Sequence, residues 1–431
     1  MSTSFVRRAR VVTVDPLDRV LHDATIVIVD GEIAWIGPDG EAPAGADGDR
    51  VIDAEGGIVM PGLVNTHTHL AMTMFRGLAD DMDLDGFLGT LLPAEGRVLS
   101  PSTVEIGTRL AAAECLRSGI TTALDMYFFP EAIHAAADPA GLRVLTGPVF
   151  IEFPGPDRMA FPDRLSWADE QLRSTPPGHR WVQPHSSYLL DEDQLSAIAD
   201  LADRHGARVH VHSSETRAEM DQVRARHAGT PTEVLRRTGL LHDRLVCAHG
   251  VHLTPDDIDL LAASGASVAH CPASNLKLAS GVAPVAAMTR AGVRVGLGTD
   301  GAASANDLDL WQAMRLAAYV QKGVSGDATC LPAAQVLRMA TIDGAAALGI
   351  DHLVGSIEVG KRADLIVLDA SAPSLHPVHD PVSAVANAAT RAEVRHVLVD
   401  GRVVVDDRRL TTVDVAAVLA EMDVLAKVVA E

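Results

Sequence analysis

The stretch that decides the fold is 58-IVMPGLVNTHTHL-70, an apolar run that ends in His67 and His69. Alternate residues of a strand project to the same side, so the two imidazoles face one point in space. Two facing imidazoles without partners are costly inside a fold. A metal ion is the group that would bind both, and the remaining ligands have to come from elsewhere in the chain. The competing explanation is a set of core histidines satisfied by ordinary hydrogen bonds.

The rest of the sequence places polar residues where such a site would need them. Apolar, strand-like segments recur at LVNTHTH, TTALDMY, RVLTGPVF, RWVQPHS, RVHVHSSE, LVCAHGV, SVAHCP and VRVGLGTD. Helical stretches lie between them, including STVEIGTRLAAAECLRSG and EDQLSAIADLADRHG. Strands alternating with helices predict an α/β fold, here a (β/α)8 TIM barrel over residues 61–359. Residues 1–60 and 360–431 are rich in Val and Ile and broken by Asp-Gly and Glu-Gly turns. They predict a small flanking β-sandwich domain built from both chain termini. Active sites of such barrels sit at the carboxyl ends of the strands. His67, His69, His185, His212, His249, His270 and Asp300 all fall at predicted strand ends.

Composition narrows the class. The 431 residues are 47% hydrophobic and carry 36 basic against 57 acidic side chains, a formal charge of −21. This acidity disfavours nucleic acid and anionic membrane surfaces and leaves a small-molecule substrate as the expected partner. Cys115, Cys247, Cys271 and Cys330 form no CxxC pair, which fits free thiols in a reducing cytosol. With no continuous apolar leader and no apolar run of about 18 residues, a cytoplasmic enzyme is expected. Homo-oligomerisation is left open.

His67, His69, His212 and Asp300 together offer three imidazoles and a carboxylate, a donor set that suits zinc, with iron(II) as the alternative. One Zn2+ per chain is the simpler expectation, because the fourth strand offers His185 and no bridging lysine. A water on that metal would ionise near neutral pH. Asp300 would both ligate and accept a proton. His210 shares a strand face with His212 but lies further from the strand end, so it is expected in the barrel interior. Glu215, just beyond the strand, is placed to shuttle protons. His249 would orient the nucleophile and stabilise developing charge, and His185 would face the substrate.

The motifs HTHL, HSSET, AHGVHL, PASNLKLASGVAP and GTDGAAS, in this order, resemble the amidohydrolase superfamily. Within it the chain looks like the branch of amino-heterocycle deaminases and chlorohydrolases that includes methylthioadenosine/S-adenosylhomocysteine deaminases. The resemblance covers essentially the whole chain. It implies hydrolytic deamination at one zinc or iron held by His67, His69, His212 and Asp300. It also implies Glu215 and His249 as the acid–base pair and His185 as a substrate contact. The expected reaction is deamination of an adenosine-like nucleoside. The alternative is a deaminase or chlorohydrolase of a guanine-type base, pterin, cytosine or s-triazine.

The sequence also departs from that pattern. Asp85 stands where adenosine-acting members tend to carry a Glu for the ribose hydroxyls, and Phe87 stands in place of a Trp. Both are read as substrate-binding. The arginine that tends to meet a substrate carboxylate after the third strand is missing from LTGPVFIEF. Arg158 and Arg164 are the nearby arginines, and neither is assigned to that role.

Overall fold

The protein is described by a computed structural model covering residues 2–430. The apolar segments of the middle region form two sheets. In hydrogen-bonded order, one runs Asp300–Gly301, Leu63–His69, Ile120–Asp125 and Arg143–Leu145. The other runs Arg294–Leu297, Ser267–His270, Leu245–His249, Arg208–Ser213, Trp181–Pro184 and Val149–Phe150. Every pairing within both sheets is parallel. The chain passes from one sheet to the other twice, through residues 146–148 and through residues 298–299. Parallel strands need covered crossovers, and this accounts for their unbroken burial: every residue of Leu63–His69 and of Leu245–His249 is buried.

The crossover helices follow from local chemistry. Helix Glu192–His205 starts at Asp191, whose carboxylate accepts from the Gln194 N–H, and stops at Gly206, which takes a left-handed φ of 60°. Its apolar residues Leu195, Ile198, Ala199 and Ala202 recur at helical spacing and are buried. Helix Pro101–Arg117 opens with a reciprocal Ser100–Thr103 cap and a proline in its first turn.

Strands from both ends of the chain share one nine-stranded sheet. Leu365–Leu368 pairs antiparallel with Ile58–Pro61 on one side and with Val394–Val399 on the other. Period-two alternation lets this strand serve two cores. Leu365 and Val367 join Ile26, Val59 and Leu398 in a core belonging to the terminal sheet. Ile366 and Leu368 join Ile58 and Met60 in the main core. The chain's last helix, Val415–Ala430, does not extend the sheet. It is tied to helix Pro101–Arg117 by the Arg109–Glu421 ion pair and buries Val418, Met422, Leu425 and Val429. No described helix is long and apolar enough to cross a membrane.

Candidate metal centre

His67 and His69 end the first strand of the middle region, and Asp300 pairs beside Thr68 between them. The Asp300 Oδ1 lies 3.2 Å from the Nε2 of His67 and 3.2 Å from the Nε2 of His69. His212, at the end of Arg208–Ser213, brings its Nε2 to 3.3 Å from that of His69. Gly298 makes this approach feasible. A Cβ there would sit 2.8 Å from the Cys271 Sγ and 3.0 Å from the His67 Cβ, closer than packed atoms tolerate.

Each donor is aimed from behind. The His69 Nδ1–H donates to the Met126 carbonyl at 2.6 Å, and the His212 Nδ1–H donates to the His185 carbonyl at 3.0 Å. Both contacts turn Nε2 toward the cluster. His67 Nδ1 is 3.0 Å from the His210 Nε2. His210 is thus buried in the interior, behind His67. The second carboxylate oxygen of Asp300 accepts from the Ser274 hydroxyl at 2.6 Å and the Ser304 hydroxyl at 2.7 Å, leaving Oδ1 free to face the imidazoles.

The residues present fit a metal. His67, His69 and His212 form one group of mutually close donor atoms, and His67, His249 and Asp300 form another. His67 Nε2 is buried without a hydrogen-bond partner. Burial lowers the His67 imidazole to about 4, which keeps it in its neutral, ligating form. Burial also opposes a charge on His69, yet the hydrogen bond to Asp300 raises it to about 9. A carboxylate that favours charge on a neighbouring imidazole marks a place suited to positive charge, which a divalent cation would supply.

Glu215 and His249 flank the cluster. The Glu215 Oε2 lies 3.7 Å from the His249 Nε2, and burial pushes the Glu215 carboxyl up to about 7. His249 Nδ1 meets the Asn275 Oδ1 at 2.9 Å. Backbone strain gathers in the same place: Ser214, His249 and Asp300 hold φ of 56°, 74° and 60°, a region that residues other than glycine seldom occupy.

The remaining candidates are distributed unevenly. His185 and the buried Phe87 line the cavity over the cluster, together with Met72 and Leu278. His185 also lines an adjoining cavity of about 330 Å³, largely apolar, with Leu92, Phe128, Ile151, Phe153 and Arg158 around it. Asp85 is exposed in the first turn of helix Leu84–Val98 and borders a separate groove with Thr216, Arg217 and Leu278. Arg164 is fully buried, with its guanidinium donating to Asp157 at 2.6 and 3.1 Å and to the Ile151 carbonyl at 3.1 Å. His270, also at a strand end, is buried with its Nδ1 unpartnered.

Sequence reasoning passed over Ser274, Asn275 and Ser304. The first two stand in PASNLKLASGVAP and the third in GTDGAAS, both motifs singled out above. A lone Ser or Asn has no periodicity, so no local signal marked them as supports.

A model described as the amidohydrolase family matches residues 58–404. The chain is 42% identical to a 5-methylthioadenosine/S-adenosylhomocysteine deaminase of Syntrophobacter fumaroxidans, over 97% of this chain and 96% of that protein. It superimposes on the crystal structure of an adenosine deaminase from Xanthomonas campestris with bound zinc at a TM-score of 0.94. Identity there is 38%, covering 100% of this chain and 99% of the other. An atrazine chlorohydrolase from Arthrobacter aurescens, complexed with zinc, matches at TM-score 0.91 and 26% identity, covering 98% and 100% of the two chains.

Proposed function

This chain belongs to the amidohydrolase family, and we propose that it is a metal-dependent hydrolytic deaminase of adenosine-like nucleosides. The observation that carries the reading is the convergence of His67, His69, His212 and Asp300 beside the Glu215–His249 pair. It occurs in a chain similar over nearly its whole length to deaminases of 5-methylthioadenosine and S-adenosylhomocysteine. The reaction class is hydrolysis of a carbon–nitrogen bond outside a peptide. Water adds to the amino-bearing ring carbon, the C–N bond breaks, and ammonia leaves.

The proposed ligands of one zinc ion per chain are His67, His69, His212 and Asp300, with iron(II) as the alternative. When bound, the metal supplies a water acidified toward neutral pH. Glu215 would take one proton from the attacking water and pass it to the ring nitrogen, and would then carry a second proton, from the added hydroxyl, to the amine as the C–N bond breaks. Its buried carboxyl, near 7, suits a group that must both accept and donate. The imidazole of His249 polarises the nucleophile and stabilises charge as it develops. His185 holds the heterocycle, Phe87 packs on it, and Asp85 reaches the ribose hydroxyls from the groove it borders.

For architecture, we read the two parallel sheets as one closed eight-stranded barrel over 61–359, with Arg143–Leu145 and Val149–Phe150 counted as one interrupted strand and Arg294–Leu297 and Asp300–Gly301 as another. The terminal sheet, wrapped on its own core, is read as the β-sandwich domain of 1–60 and 360–431. The four free cysteines suit a cytoplasmic enzyme. The second functional reading is an amino-heterocycle deaminase or chlorohydrolase, which the match to the atrazine enzyme favours.

Ammonia release from a panel of purine nucleosides, free bases, pterins and triazines by the zinc-loaded protein tests the proposal. Turnover confined to triazines or free bases would replace the first reading with the second.

A further inference from the structure

The acid–base carboxylate of the proposed mechanism does not sit on a regular element. Strand Arg208–Ser213 ends one residue before Ser214, and helix Arg217–His227 begins two residues after Glu215. Ser214 turns the chain with a left-handed φ of 56°. A short strained turn of this kind leaves backbone N–H groups without sheet or helix partners. Something must satisfy those groups if Glu215 is to keep one position.

Glu219 supplies the acceptors. One of its carboxylate oxygens accepts from the Ser214 N–H at 2.9 Å, and the other accepts from the Glu215 N–H at 2.6 Å. Its own N–H donates to the Thr216 hydroxyl at 3.1 Å, the helix's N-terminal cap. Glu219 is 3% exposed and Glu215 is 5% exposed, so water does not replace these bonds. A second set of contacts ties the turn to the neighbouring strand end. The Ser213 carbonyl accepts from the Gly250 N–H at 3.1 Å, and the Ser214 carbonyl accepts from the His252 N–H at 2.8 Å. Both donors lie within three residues after His249, whose Nε2 faces Glu215 at 3.7 Å.

We propose that Glu219 is a positioning residue for catalysis: its buried carboxylate clamps the two amides of the Ser214–Glu215 turn and so fixes Glu215 against His249 and the metal cluster. This rests on the deaminase reading for the role of Glu215. A buried carboxylate is costly to keep, and helix stability alone does not require it, because Thr216 already caps the helix. The clamp needs both oxygens, since each serves a different N–H. A glutamine keeps one acceptor and turns an amino group toward the other donor. An aspartate is a methylene too short to reach both.

The test compares Glu219→Gln, Glu219→Asp and Glu219→Leu in the zinc-loaded full chain. Three quantities are measured: metal content, kcat and KM on a nucleoside that the wild type turns over, and hydrogen exchange of the peptide spanning residues 211–220. The clamp predicts full metal content and a KM unchanged within about twofold. It predicts a kcat lower by roughly 10- to 100-fold, the scale of a misplaced catalytic group. Glu219→Gln should retain more activity than Glu219→Leu, and both should exchange faster in that peptide. A soluble Glu219→Gln variant with wild-type kcat and wild-type exchange would overturn the proposal and leave the deaminase reading intact. Loss of activity through loss of metal, or through KM alone, would overturn it as well. If the wild type itself releases no ammonia from any nucleoside, the deaminase reading fails. The exchange measurement then still decides whether Glu219 orders the turn.

Discussion

The Glu215 Oε2 lies 3.7 Å from the Nε2 of His249, although the two residues belong to different strand ends. The parallel register that sets Ser213 beside His249 brings them together. Glu215 and His249 border the cavity over the cluster together, as a proton carrier and a polarising imidazole would have to. Replacing Glu215 with Gln keeps the shape and removes the proton carrier. Activity should fall by roughly two to four orders of magnitude, with metal content unchanged by elemental analysis. Near-normal turnover would assign the proton transfer to another group.

Metal binding should be lost at the cluster itself. Purified protein should hold about one divalent ion per chain. His67→Ala and Asp300→Ala should each lose most of it on dialysis, because each removes a ligand from a buried site. Two ions per chain would contradict the mononuclear site.

Glu95, which borders the cavity beside His69, gives a pH prediction. It is 5% exposed, accepts from the Tyr127 hydroxyl, and is pushed by burial from 4.5 to about 7. A carboxyl raised in the folded state contributes stability that is full below about 4.5 and is lost as the pH rises through about 7. Glu95→Gln stays neutral throughout. Measured against wild type, its melting temperature should therefore rise between pH 5 and pH 8, with a ceiling of about 3 kcal/mol from the shift. An equal difference at both pH values would show that the Glu95 carboxyl titrates alike in the folded and unfolded chains.

The substrate should be an adenosine carrying a small or apolar 5′ group. The cavity beside His69 and His185 is lined mainly by apolar side chains, and Arg164 is already committed to Asp157, which leaves Arg158 as the arginine at that cavity able to meet a substrate carboxylate. Adenosine, 5′-deoxyadenosine and 5′-methylthioadenosine should exceed S-adenosylhomocysteine in kcat/KM. Asp85→Ala should lower nucleoside turnover more than turnover of free bases. Equal losses on both would remove Asp85 from ribose recognition.

Truncation before Ala363 should be severe. It removes Leu365–Leu368 from the middle of the terminal sheet and leaves Ile58–Pro61 as an open apolar edge. Aggregation by light scattering is the expected readout, and a soluble, active truncation would show that the two ends fold independently.

Much of this protein is legible in its sequence. His67 and His69 declare themselves through a period of two. His212, Glu215, His249 and Asp300 do so by standing where apolar strands stop, because strand-end polarity is a local pattern. The β texture of both termini is local in the same way. Other features required the fold. Asp300 reaches His67 and His69 only through the pairing of Asp300 with Thr68, which joins distant parts of the chain. His210 behind His67, Asn275 behind His249, and Ser274 and Ser304 on Asp300 are single polar residues with no periodic signature. Their roles exist only where buried donors and acceptors must find partners. Asp85 was placed by likeness of sequence, yet exposure and the groove it borders are set by how helix Leu84–Val98 docks. The tail from Val415 onward forms a helix on Pro101–Arg117 and lies outside the sheet, because its apolar stripe finds its partner in another element, a match that no window of sequence contains.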